Sequence, residues 1–161
     1  MVRGEFTVSR KLSVLIALLL IMTFTLTACS LMKPKTVLTP EDFQTKMEAA
    51  GLAVEDATDQ FEEETLDLLL IAYNDDFQIE FYVMDTDAHA EQAFAGNVQN
   101  FEELSGVKST TKTNGSNYNT FVMTLGEQYA IVSRVDNTFI YIDEQTEDRD
   151  AIKELMKTLG Y

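Results

Sequence analysis

The sequence predicts an α+β domain: a mainly antiparallel sheet of about five to seven strands, with three helices packed on one face. Three observations predict it. Apolar residues recur with a period near 3.6 in three segments and near 2 in the segments between them. The period-2 segments are joined by two- and three-residue turn signals, which force antiparallel neighbours. The helices are few and set apart from runs of strands, unlike the regular alternation of a parallel sheet.

The first helix is punctuated at both ends. Thr39-Pro40-Glu41-Asp42 places a capping hydroxyl, a proline at the first helical position and acids in the first turn. Phe43, Met47 and Ala50 share a face and Gly51 stops the run, so the helix is expected over Pro40 to Ala50. A short strand follows at Leu52 to Asp56. Leu66 to Tyr73 (LDLLLIAY) is almost continuously apolar and predicts a central strand covered on both sides. After the turn Asn74-Asp75-Asp76, FQIEFYVM alternates, with Phe77, Ile79, Phe81 and Val83 on one face.

The second helix is expected after Asp85-Thr86, with Ala90, Ala93, Phe94, Phe101 and Leu104 on one face and Gly106 as its stop. Asn114-Gly115 is a strong hairpin signal. YNTFVMTL, a turn at Gly126-Glu127, YAIVSRV, a turn at Asp136-Asn137 and TFIYID complete a run of three or four strands. The last helix begins after Thr146, stacks Ile152, Leu155, Met156 and Leu159, and ends at Gly160. Its early acids and its later Lys153 and Lys157 match the helix dipole.

The N-terminus has a different texture. Arg3, Arg10 and Lys11 precede an uncharged run of 17 residues, Leu12 to Ala28, short for a membrane-spanning helix of roughly 20. A basic head, a short apolar core and small residues at its end have the layout of a signal peptide. The only cysteine stands at that end, in Leu26-Thr27-Ala28-Cys29. These four residues resemble the lipobox of bacterial lipoproteins. The resemblance implies cleavage between Ala28 and Cys29, a diacylglycerol on the thiol, and a lipid anchor on the extracytoplasmic face of the cell membrane. The chain then divides into a signal peptide (1–28), the lipidated cysteine and a tether (29–39), and one domain (40–161).

Charge narrows the partners. The whole chain carries a formal −15. Removing Arg3, Arg10, Lys11 and Glu5 with the leader moves it to about −17. Such a domain repels phosphate backbones and has no basic stripe of the nucleic-acid kind, so no nucleic-acid partner is expected. With Cys29 acylated no thiol remains for a disulfide or a cysteine metal site. Lys33 and Lys35 in the tether lie where anionic headgroups attract cations.

No residue is singled out as catalytic, cofactor-binding or metal-ligating, and no cofactor is expected. Asp85, Asp87, His89 and Glu91 alternate, but alternate residues on a helix lie about 200° apart and cannot converge. The acidic runs Glu62-Glu63-Glu64, Asp75-Asp76 and Asp143-Glu144 lack the calcium-loop spacing. Neither a phosphate-cradling loop nor a nucleophile elbow is present. Tyr73, Tyr82, Tyr118, Tyr129 and Tyr141 fall on or beside strands. If all helices cover one face, some of these rings form an open aromatic face on the other, suited to a peptide or protein partner.

From the first helix through YNDDFQIEFYVMDTDAHAEQAF, the Asn-Gly hairpin and VSRVDNTFIYID, the chain also resembles small uncharacterised lipoproteins of Gram-positive Firmicutes, a resemblance of strand order and texture. It implies the envelope address and an α+β domain and carries no active residues. The expected function is a lipid-anchored extracytoplasmic binding or adaptor module with an envelope protein or peptide partner. The alternatives are a small-ligand or cation-binding lipoprotein and an envelope hydrolase using carboxylates. Replacing Cys29 by Ala is expected to abolish lipid labelling and move the protein out of the membrane fraction, as metabolic labelling with a fatty-acid probe will show.

Overall fold

The computed structural model describes residues 33–61 and 64–161. Ala28, Cys29 and the expected signal peptide lie outside the described residues, as do Glu62 and Glu63. No helix among the described residues is long and apolar enough to cross a membrane.

Among the described residues, three helices and seven strands follow in the order α1 (Pro40–Ala49), β1 (Ala53–Asp56), β2 (Leu66–Tyr73), β3 (Gln78–Met84), α2 (Asp87–Glu103), β4 (Lys108–Asn114), β5 (Tyr118–Leu125), β6 (Gln128–Val135), β7 (Thr138–Gln145) and α3 (Arg149–Leu159). The strands form one antiparallel sheet ordered β1-β2-β3-β7-β6-β5-β4, so the fold class is α+β as expected. It consists of two meanders, β1 to β3 and β4 to β7, joined where Phe81 lies opposite Ile140 and Tyr82 opposite Phe139. The helix from the end of β3 carries the chain to the far edge, where β4 begins.

The helix ends follow local chemistry. Thr39 caps α1 by accepting from the Asp42 N–H at 3.1 Å, and Thr86 caps α2 by accepting from the His89 N–H at 3.3 Å. Gly160, at φ +87°, ends α3 in the left-handed conformation that costs glycine least. At the end of α2 the Lys108 ammonium reaches back to the carbonyls of Phe101, Glu102 and Leu104, replacing with a side chain the amide donors the helix has run out of.

The helices do not all lie on one face. α1 and α3 pack on one side of the sheet, where Phe43, Met47, Ile152 and Met156 meet Ile79, Phe81, Ile131 and Ile140. α2 packs on the other, where Ala90, Val98 and Phe101 meet Phe121, Val132 and Phe139. The expectation of a single covered face is therefore corrected. The reason lies in β6, where seven of eight positions are buried. Both its faces need cover, and an antiparallel order does not forbid helices on either side.

A second correction concerns β2. It lies next to the edge, with part-exposed residues at Leu66, Leu68 and Ile71, while β7 and β6 take the doubly covered centre. The apolar run reflects burial of Leu69, Leu70 and Ala72 only.

Residues read as tether belong partly to the domain. The Lys35 N–H donates to Asn117 Oδ1 and the Asn117 amide donates back to the Lys35 carbonyl, both at 2.9 Å. The Lys35 ammonium stands 4.8 Å above the Tyr118 ring, and Leu38 is 5 % exposed within the α1 core. Lys35 is thus committed to the fold, and burial pulls its pKa down.

Phe81 is fully buried and stacks on Phe43 at 4.8 Å between ring centres. Phe81→Ala is expected to cost about 3–5 kcal/mol, read as a lowered urea midpoint. Val107→Ala, at a 97 % exposed position, is expected to stay within about 0.5 kcal/mol of the parent.

Candidate functional site

The two faces of the sheet are covered unequally. α1 lies toward β1 to β3 and α3 runs alongside it, linked by the Lys46 ammonium donating to the Thr158 carbonyl at 2.9 Å. Beyond α3, no helix among the described residues covers the face of β4 and β5. There the chain leaves a groove of about 420 Å³ between α3 and the outer strands.

Strand alternation builds the floor. Ser109 and Thr111 of β4 and Thr120, Val122 and Thr124 of β5 point to this face, because Phe121, Met123 and Leu125 point to the α2 core. Ile131 of β6 and Met156 of α3 deepen it with apolar surface. The Thr120 hydroxyl is spent on Ser133 at 2.7 Å. The wall is cationic. Arg149, Lys153 and Lys157 are spaced four residues apart, so α3 sets them on one stripe along the groove.

Like charges at this spacing disfavour a helix by about 0.2–0.5 kcal/mol per pair, and partners do little to relieve them. The Lys157 ammonium is 2.6 Å from Glu154, but both side chains are more than 70 % exposed. Arg149 approaches Asp150 only to 3.7 Å. Lys153 has no hydrogen bond or ion pair among the described residues. No Asp or Glu stands among the described residues that line the groove. In a chain of net −15 this is a local reversal of sign.

Two phenols complete the lining. Tyr129 is 2 % exposed, and its hydroxyl has no hydrogen-bond partner among the described residues. Burial raises its pKa and the Asp150 carboxylate adds to this, while the nearby Arg149 guanidinium opposes it. Tyr161 closes one end and shares a short hydrogen bond with the Thr138 hydroxyl; burial likewise raises its pKa.

The residues weighed from sequence lie elsewhere. His89 Nδ1 is 2.5 Å from Asp85 Oδ1 at the exposed start of α2, and this contact holds the Asp85 carboxyl below its usual range. No group of three or more His, Cys, Asp or Glu side chains converges among the described residues. The tyrosines share no open face. Tyr82 stacks on Phe139 and Tyr141 on Phe101 in the α2 core, Tyr129 lies on the opposite side, and Tyr73 donates to Glu55 Oε1 at the β1 edge. α2 occupies the face that was expected to be free. Two sequence signals bear on the groove and were not read as a site: the 149/153/157 spacing of cations, and the hydroxyl-rich texture of β4 and β5.

The chain matches no family model, no curated protein and no solved structure. What the groove is for must therefore be argued from its own chemistry.

The raised phenol pKa values set a pH dependence. Free tyrosine titrates near about pH 10. Above it the unfolded chain releases these protons first, the folded chain binds more, and stability falls as pH rises; below it these groups contribute no slope. Tyr129→Phe is expected to lose less of its urea midpoint between about pH 9 and about pH 11 than the parent does.

Proposed function

We infer that this chain is a lipid-anchored extracytoplasmic binding module whose working surface is the groove between α3 and the outer strands. The carrying observation is the stripe Arg149, Lys153 and Lys157 facing a hydroxyl-lined floor, with no Asp or Glu among the described residues that line the groove, in an otherwise acidic domain. A concave surface of this size with few polar anchors suits a bound ligand better than a flat protein contact. It also supplies no carboxylate pair of the kind a hydrolase needs.

The address rests on the lipobox and is consistent with the fold's starting point. If Cys29 is the acylated first residue, the chain is fixed to the domain again at Lys35 through Asn117. Six residues span at most about 20 Å, which sets the longest reach between the acylated residue and Lys35. The end of α3 lies there too, since Tyr161 bonds to Thr138 at the turn beside Asn117.

A photo-reactive side chain at Val122, on the groove floor, tests this in intact cells. Capture of a discrete species is expected from the lipidated protein, reduced at least several-fold by Lys153→Glu and in the Cys29→Ala form. Capture indifferent to the charge reversal would remove the groove as the working surface.

A further inference from the structure

The chemistry of the groove narrows its ligand. Two kinds of surface run side by side along it. On the wall, Arg149 to Lys157 spans eight residues, about 12 Å at 1.5 Å each, and holds three cations. On the floor, part-exposed Val122 gives apolar area above the buried Ile131 and Met156, and the Tyr129 hydroxyl offers a donor without a partner among the described residues near Arg149. A purely inorganic anion would leave the apolar floor wet. A neutral hydrocarbon would leave the cations unmatched. The two needs are met together by a molecule with an anionic head and an apolar body.

We propose that the groove binds a single-chain anionic amphiphile, its phosphate or carboxylate head held by Arg149 and Lys153 with the Tyr129 hydroxyl, and its chain laid over Val122 at the edge of the buried Ile131 and Met156. The Tyr129 hydroxyl has no partner among the described residues yet is open to solvent in the groove, since no buried side-chain oxygen or nitrogen among them lacks a partner, so it is free to donate to a bound head. Arginine supplies the planar fork that grips such oxygens in pairs, and lysine a mobile point charge beside it. The groove, about 420 Å³ and open to solvent along one side, falls within the range that holds one small molecule. Long-range repulsion from the acidic domain opposes any anion. Binding therefore depends on the local cations and is weakened by salt.

This assignment rests on the groove being the working surface, and the test separates the two. The mature lipidated protein in phosphatidylcholine nanodiscs is titrated with hexyl phosphate, hexyl glucoside and inorganic phosphate, by calorimetry and by thermal melting. Hexyl phosphate is expected to bind and raise the melting temperature, as a ligand of the folded state must. Inorganic phosphate is expected to bind at least about tenfold more weakly, and the glucoside to have no effect. Arg149→Gln and Lys153→Gln each weaken hexyl phosphate about tenfold, the scale of one lost charge-assisted contact. Both positions are exposed, so the variants fold. Tyr129→Phe weakens the head's hold without touching the charge.

Equal binding of inorganic phosphate and hexyl phosphate would overturn the amphiphile. So would full competition by phosphatidylglycerol vesicles, which would transfer the site to the bilayer surface. No binding of hexyl phosphate, with groove-dependent capture in cells intact, would overturn the ligand class and leave the groove as a working surface. Loss of both would remove the groove altogether.

Discussion

The antiparallel pairing of β3 with β7 is the contact on which the rest depends. It joins two meanders that otherwise have no strand in common, and Val83 and Thr138, which face each other there, are about fifty-five residues apart. Closing such a loop costs roughly 3–4 kcal/mol beyond a constant, growing only with the logarithm of its length. Burial offsets this readily. Phe139, Ile140 and Ile142 of β7 are each at most 3 % exposed, and a buried side chain of this size contributes about 1.5–3 kcal/mol. Because β7 alternates between the two cores, the pairing also requires helices on both faces.

The groove follows from widths. Seven strands at about 4.8 Å spacing make a face nearly 29 Å across. Two helices packed at 8–10 Å cover about 20 Å of it. α1 and α3 take the side of β1 to β3 and the centre, so the part left bare is the outer pair, β5 and β4. The residues of these strands that line the groove are Ser and Thr with a single Val122, which tolerate water in a way that Phe121 and Met123 on the other side do not. An uncovered margin is thus a geometric consequence of the fold, whereas the cations along its wall are a choice of sequence.

The same division appears in the polar groups. Arg134 is nearly buried, and its guanidinium is consumed by Asn119 and the Asp136 carbonyl; Lys108 is consumed by the end of α2, and Lys35 by Tyr118. These cations hold turns and termini. Arg149, Lys153 and Lys157 have no such structural task, which is why their alignment bears on binding.

Much of the fold was legible. Caps and glycines are local chemistry, so the helix starts at Thr39 and Thr86 and the stop at Gly160 could be read directly. Strand alternation in β3 and the turns at Asn74 and Asp136 were likewise local. β4 was not: KSTTKTN is a polar edge strand, exposed at six of seven positions, and carries no apolar period. Its existence was implied only by the hairpin signal at Asn114-Gly115. The groove was half legible. The 149/153/157 stripe was visible, but the dipole explained the two lysines equally well.

By itself the sequence determined the class of the fold, the ends of its helices, the antiparallel returns and the lipobox-like stretch around Cys29, all of which depend on neighbours within a few residues. Only the tertiary structure decided which strands are central, that α2 covers the face the tyrosines had seemed to own, and that a cationic helix stripe stands over a hydroxyl-lined floor. The physical reason is that periodicity states how often a residue faces inward but not against what. Partners across a sheet are fixed by pairings dozens of residues apart.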